Sequence, residues 1–442
     1  MAIVRKWFAV LLAAGLIAAA PAPASAAPPV CDAPVPSTTQ PGYLVADPDC
    51  DISGTPFTAL PGASVHTGIR EGAAYRIEVP DDWTGRLVLY AHGYRGNGTT
   101  VYVDNPALRS HFVARGFAWA ASSYQTNGYE VDQGVQDSYA LIDLFTDVTG
   151  TRAESVLMTG ASMGGHVTAV AIERYPRAFA GAMPACGVLG DIALFDYFLD
   201  VSLTAAALAG EDVTYPGDPA QWRAAAARIV PALTGTAAGR TWSNGVERRS
   251  GGERPGFDAA LAHWSAARAL PPYTDLPFLL GMNPALSGAP VTGNRYTLYR
   301  STDRLLPTAA EWRLNLDVER VGPTGDRSAV PRVAGRPPVP VVSLHTLGDL
   351  FVPFSMEQVY ARRAAVQGRS GLFVSRAVRA VGHCDFTQPE LRRAFDDLVT
   401  WVYAGRRAAG DAILNRRVVA GPAFGCRFTV GERAAFGAAC PA

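Results

Sequence analysis

Apolar residues fall along this chain in two rhythms. Short unbroken runs stand at 86–91 (RLVLYA), 117–122, 154–159 (ESVLMT), 179–185, 339–345 (VPVVSLH) and 372–378 (LFVSRAV), each bounded by turn-forming residues. Runs of this length without polar alternation predict strands buried on both faces. Residues 64–79 alternate instead, strand-like, around the turn Arg70-Glu71-Gly72. Between the runs, residues 104–115, 132–147, 163–175, 355–366 and 388–403 place apolar side chains three and four apart, which predicts helices with one buried stripe. Thr387, Pro389 and Glu390 add a capping box with proline in the first turn. Alternating strands and helices predict an α/β fold class: a mostly parallel central sheet with helices on both faces.

The rhythm breaks at 190–335, a stretch rich in Ala, Pro and Arg with helical segments at 191–208, 220–230 and 257–269. The sheet pattern resumes afterwards. We therefore read this stretch as a mainly helical insertion after the sixth strand rather than a second independent domain. The expected division is a leader at 1–26, an irregular arm at 27–63 and the first part of the core at 64–189. The insertion at 190–335, the second part of the core at 336–407 and an extension at 408–442 follow. No internal repeat is visible.

The leader carries Arg5 and Lys6, an apolar run over 7–20, and Ala24-Ser25-Ala26. Those are the three parts of a secretory signal peptide, cut after Ala26. A run of 14 residues falls short of the roughly 20 that a spanning helix needs. The expectation is an exported, extracellular protein without stable membrane insertion.

Charge narrows the chemistry. The chain has 39 basic and 39 acidic residues, and its one lysine is Lys6. Removing the leader leaves 37 basic against 39 acidic residues and no lysine. That excludes Schiff-base and pyridoxal chemistry, a phosphate-loop lysine and a Ser-Lys dyad. Without a basic surplus there is nothing to neutralise phosphates, so nucleic acid is not an expected partner. No cofactor is expected. All six cysteines lie beyond the leader, and an even number in an exported chain predicts disulfides. Six cysteines allow 15 connectivities. The parsimonious set is Cys31–Cys50 and Cys426–Cys440 as local loops, which leaves Cys186 and Cys384 for each other. No cysteine or histidine pair has metal spacing, so no metal site is expected.

Gly160-Ala161-Ser162-Met163-Gly164 is a GxSxG sequence. A predicted strand runs into it and a predicted helix leaves it, the context of a nucleophile elbow. A serine hydroxyl needs a positioned base and an acid that orients the base. Of the seven histidines, His383 follows the last strand, in Gly382-His383-Cys384-Asp385. His345 sits inside a strand run and reads as a core residue, and His263 as a helix-face residue. Asp349 lies in Leu347-Gly348-Asp349-Leu350, directly after the seventh strand, in a loop at the carboxyl end of a parallel strand, where this architecture presents site residues. Asp191 holds the rival position after the sixth strand. Ser162, His383 and Asp349 are thus the expected nucleophile, base and acid. The amides of Met163 and Tyr94 are the expected oxyanion donors, with Gly93 permitting close approach. His92 reads as a structural loop residue.

The order and spacing of HGY, GASMG, GD and GHC resemble an α/β-hydrolase of the secreted, actinomycete-like type, over about residues 64–190 and 336–407. The resemblance implies that the insertion is a cap above the serine. Tyr94 paired with Met163 is similar to the oxyanion pair of cutinase-like and polyester-degrading hydrolases, which lack a cap of this size. The pair His383-Cys384 is similar to tannase and feruloyl-esterase sequences, in which a cysteine precedes the serine. Here that position is Ala161. The resemblance thus implies that Cys186 serves in its place and ties the sixth-strand loop to the histidine loop. The cap carries Phe195, Tyr197, Phe198, Trp222, Trp242, Trp264, Tyr273 and Trp312, most of them expected to form its own core. Arg248 and Arg249 are read as a solvated face.

The leading expectation is hydrolysis of carboxylic esters through an acyl-enzyme. The substrate is a small or polymeric ester, and the oligomeric state is open. The alternatives are a serine peptidase or amidase of the prolyl-oligopeptidase type, an acyltransferase, and a binding module with a vestigial triad. Against the peptidase, the loop reads HGY and no acidic cluster stands ready for a free amine.

Overall fold

A computed structural model describes residues 31–441 apart from 216–218, 266–290, 326 and 329. The leader, the end of the helix expected at 257–269, and Tyr273 lie outside the described residues, as does the side chain of Trp222.

The main sheet has eight strands: β1 (Ala63–Arg70), β2 (Ala73–Pro80), β3 (Arg86–Ala91), β4 (Phe117–Ser122), β5 (Ser155–Ala161), β6 (Gly181–Ala185), β7 (Val341–Thr346) and β8 (Phe373–Val378). Their spatial order is 1-2-4-3-5-6-7-8. β1, β2 and β4 pair antiparallel in turn, and every other pairing is parallel. The β1–β2 hairpin turns at Glu71 and Gly72, with φ of 50° and 77°. Two positive φ values in a two-residue loop match the right-handed twist of the strands it joins. The parallel strands β3–β8 are buried almost throughout, which accounts for their unbroken apolar sequences.

Helices cover both faces. On one lie α1 (Arg109–Ala114) and, near the C-terminus, α10 (Gln388–Ala404), where Phe112 and Phe117 pack against Phe395. On the other lie α2 (Val131–Thr149) and α3 (Met163–Arg174), which bury Val131, Val135, Leu141, Val167 and Val170. At the expected capping box the Thr387 amide donates to Glu390 Oε2 at 2.7 Å. Helix α1 is shorter than the expected 104–115. Asp104 and Asn105 spend their side chains on Arg95 and Arg76 outside the helix, so the chain enters α1 only after Pro106. The arm is less irregular than expected, since Val35–Pro36 and Leu44–Val45 join Thr100–Val101 in a small second sheet.

The insertion leaves β6 and returns at β7. Its described helices are α4 (Ala193–Ala209), α5 (Pro219–Leu233), α6 (Ala237–Ser250), α7 (Phe257–Ser265) and α8 (Ala309–Asp317). A last core helix, α9 (Ser355–Val366), follows β7. All three disulfides have the expected pairing: Cys31–Cys50, Cys186–Cys384 and Cys426–Cys440.

Candidate active site

Ser162 sits at the junction of β5 and α3 with φ 58° and ψ −122°. A non-glycine residue held there stores strain, of order 1–3 kcal/mol. The glycines around it show what holds it. A Cβ on Gly164 would lie 2.0 Å from the Ala91 carbonyl oxygen, and one on Gly160 would lie 2.2 Å from the Gly164 oxygen. Only glycine lets strand and helix approach so closely. The serine side chain makes no capping hydrogen bond with its own helix, and the residue is partly exposed. The turn is therefore built to present an unencumbered hydroxyl.

The loop after β3 lies against it. A Cβ on Gly93 would lie 3.2 Å from Ser162 Cβ and 3.8 Å from its Oγ. The backbone of 92–94 thus passes directly beside the nucleophile, next to the buried Met163 at the helix start. His92 is committed elsewhere. It stacks on Tyr124 at 3.8 Å, its Nε2 accepts from Arg95 Nη2 at 2.9 Å, and its Nδ1 donates to the Gly93 carbonyl at 2.7 Å. Burial, then the charge of Arg95, pushes its pKa down to about 3, so this ring is neutral and structural.

Asp349 follows β7 and is wholly buried. Its Oδ1 accepts the amides of Phe351 and Val352, each at 2.9 Å, and its Oδ2 accepts from His383 Nδ1 at 2.5 Å. With Nδ1 so engaged, the imidazole presents Nε2 on its opposite edge, and the ring is partly exposed. Gly348 precedes the acid because a Cβ there would meet Val381 Cα at 2.7 Å. The rival, Asp191, is spoken for: it pairs with Arg363 at 2.5 Å and accepts the Val333 amide at 2.9 Å.

A disulfide joins the end of β6, against which the elbow is hydrogen-bonded, to the histidine loop. The Ser162 amide donates to the Ala185 carbonyl at 3.0 Å, and the next residue, Cys186, is bonded to Cys384 beside His383. The Cys384 sulfur lies 3.5 Å from His383 Nε2. Cys186, Cys384 and His383 stand close enough together to suggest a metal cluster, but both sulfurs are spent in the disulfide and offer no thiolate.

The cap aromatics divide into two groups. Phe198 lies 5.7 Å from Phe351, whose ring meets His383 edge-on at 5.2 Å. Trp264 stacks on Phe351 at 6.3 Å, and its Nε1 donates to the carbonyls of Gly348 (2.8 Å) and Val381 (2.9 Å). One cap side chain thereby holds both the acid loop and the histidine loop. Phe195 packs on Tyr129, the Tyr197 hydroxyl donates to the Leu350 carbonyl, and Trp242 bonds the Val201 carbonyl. Trp312 is more than half exposed. Phe351 was not singled out from sequence, although its place two residues after the acid could have pointed to it. Of the two arginines expected on a solvated face, Arg248 meets a largely exposed partner, whereas Arg249 is drawn to a buried one. Arg248 pairs with Asp303, and Arg249 with Asp200, a buried carboxylate that demands a partner.

Residues 113–223 match the model of the prolyl oligopeptidase family, a segment that runs through β5, Ser162 and α3. Joined to a sheet ordered 1-2-4-3-5-6-7-8 and a strained serine between strand and helix, the match decides the superfamily. The chain is an α/β-hydrolase. It is a serine hydrolase by its family match and by the elbow it carries. A similar protein is the o-phthalyl amidase of Xanthobacter agilis, 23% identical over 401 residues, covering 74% of this chain and 84% of that one. Among solved structures, feruloyl esterase B from Aspergillus oryzae is 14% identical with a TM-score of 0.46, covering 85% of this α/β-hydrolase and 88% of that chain. An esterase from the same organism is also 14% identical, with a TM-score of 0.37 and coverages of 78% and 80%.

Proposed function

We propose that this α/β-hydrolase is an exported enzyme that cleaves carboxylic esters through an acyl-enzyme on Ser162. The observation that carries the proposal is the 2.5 Å bond between Asp349 Oδ2 and His383 Nδ1, which fixes the tautomer a general base requires. Ser162 Oγ attacks the substrate carbonyl while His383 Nε2 takes its proton. Met163 and Tyr94 amides receive the oxyanion as the tetrahedral intermediate forms. The imidazolium then protonates the leaving alcohol, and the ester C–O bond breaks. Water, deprotonated by the same nitrogen, attacks the acyl-enzyme and releases the acid. The Phe351 ring, which meets His383 edge-on and is backed by Phe198 and Trp264, favours an aromatic or bulky apolar group on the substrate. Small-molecule substrates fit this reading better than nucleic acid or a membrane. Among the described residues no helix is long and apolar enough to cross a bilayer, and three disulfides suit an oxidising compartment.

A second reading is amide cleavage by the same residues, favoured by the similarity to the o-phthalyl amidase. The two readings separate in one assay. The purified protein and its Ser162→Ala variant are compared on p-nitrophenyl esters of aliphatic and aromatic acids and on the matching p-nitroanilides. Ester turnover well above anilide turnover, abolished by the substitution, supports the first reading. Anilide turnover at or above the ester rate promotes the second.

A further inference from the structure

His345 and Glu357 are both fully buried, and the reaction above uses neither. They stand directly behind the acid of the triad. His345 lies in β7, and its Nε2 donates to the Val352 carbonyl at 2.7 Å. The amide of the same Val352 donates to Asp349 Oδ1 at 2.9 Å. On the other edge of the ring, Nδ1 faces Glu357 Oε1 at 3.3 Å, and that oxygen also accepts from Ser343 Oγ at 2.6 Å. With Nε2 committed as a donor, Nδ1 and Glu357 meet through one proton held between them.

Two carboxylates face this ring. Glu357 comes from α9, and Asp349 Oδ2 stands 4.0 Å from Nε2 on the loop after β7. Tyr360, also on α9, has its pKa raised by burial, by Glu173 and then by the charge of Glu357. Burial opposes charge on His345, but Glu357 and then Asp349 outweigh it, and its pKa is raised. A buried Ser-Glu-His chain is costly to assemble, and Glu357 Oε2 is left without a hydrogen-bond partner. Apolar side chains would fill the same space without that cost.

We propose that the Glu357–His345 pair is a positioning device for the triad. It grips the Val352 carbonyl and so sets the 349–352 turn, which aims Asp349 Oδ2 at His383. The inference rests on the triad reading of the preceding section. Asp349 accepts three N–H groups, and one of them belongs to the residue that His345 holds. Freeing Val352 lets the turn rotate and swings Oδ2 away from Nδ1.

The test uses the full chain with active sites titrated by a fluorophosphonate and Tm measured alongside. His345→Leu is expected to lower kcat per titrated site by about ten- to a hundredfold with KM little changed, the scale of a small misplacement. His345→Gln, which keeps a donor for Val352, recovers most of that loss. So does Glu357→Gln, whose amide donates to Nδ1. The acid limb of the kcat profile moves to lower pH in His345→Leu, because a mis-set Asp349 stabilises the His383 imidazolium less. An unchanged kcat and acid limb in folded His345→Leu would overturn the proposal, as would a Gln variant no better than Leu. If His345→Leu yields no folded protein, Glu357→Ala is compared with Glu357→Gln, and equal kcat per site in that pair overturns it. Activity surviving in Ser162→Ala would instead remove the triad reading, an outcome distinct from any in the His345 series.

Discussion

Cys186 and Cys384 close a disulfide across 198 residues, and it lands between the strand end that supports Ser162 and the loop that carries His383. The two residues flank the reacting groups rather than a terminus. Both hold positive φ, 45° and 54°, so each loop is bent to meet the other.

Opening that bond is expected to cost activity more than fold. The Cys186→Ser/Cys384→Ser double variant should lose about 2–5 kcal/mol of stability. It should also lose kcat out of proportion to its remaining folded fraction, because His383 is no longer tethered. Active-site titration with kcat and Tm on one preparation checks this. A variant with lowered Tm but full kcat per site would make the disulfide purely structural.

The two acids on the strand ends should separate cleanly. Asp349→Asn is expected to lower kcat about 10⁴-fold with the fold intact, because the tautomer of His383 is lost. Asp191→Asn breaks the contacts to Arg363 and Val333, costing about 1–3 kcal/mol, and leaves kcat per folded molecule unchanged. Thermal melts and steady-state kinetics on both variants measure the difference.

Much of this site is legible in sequence because it is made of local devices. GASMG announces the elbow, since only glycine tolerates the 2.0 Å approach of Ala91 at position 164. His383 and Asp349 follow from strand ends that the apolar runs mark. The partners brought in from afar are not legible. Nothing local to Trp264 shows that its indole will bridge Gly348 and Val381, residues 84 and 117 positions away. Arg249 looked solvated because its partner Asp200 lies on another helix. His345 reads from sequence as a core residue, and it is one. Its link to Asp349 runs through a backbone carbonyl, which no side-chain pattern reveals.

Trp264 gives a test of the cap. Trp264→Phe keeps a ring against Phe351 but removes the donor to both catalytic loops. The loss should be about 1–3 kcal/mol of stability, with a fall in kcat as the acid and histidine loops drift apart. Kinetics and melts on the variant read both effects. An unaffected kcat would confine the indole to packing.

Acid lability follows from His92 and His166. Burial is the main cause for both, and it depresses their pKa values from 6.5 to about 3 and about 4. The unfolded chain takes up protons below 6.5 while the folded rings do not. Stability is therefore full above that pH and is lost progressively as pH falls towards 4 and then 3. Tm measured from pH 8 down to pH 4 should fall below about 6.5. Replacing His92 with Asn should flatten part of that slope, and an unchanged slope would assign the lability to other groups.

The central claim is that Ser162 is the nucleophile. It is tested most directly by trapping the acyl-enzyme with a slowly hydrolysed aromatic p-nitrophenyl ester and mapping the adduct by mass spectrometry. The account predicts one acyl group per chain, on the peptide containing Ser162, and none in Ser162→Ala. An adduct on any other residue, or turnover retained by Ser162→Ala, would contradict it.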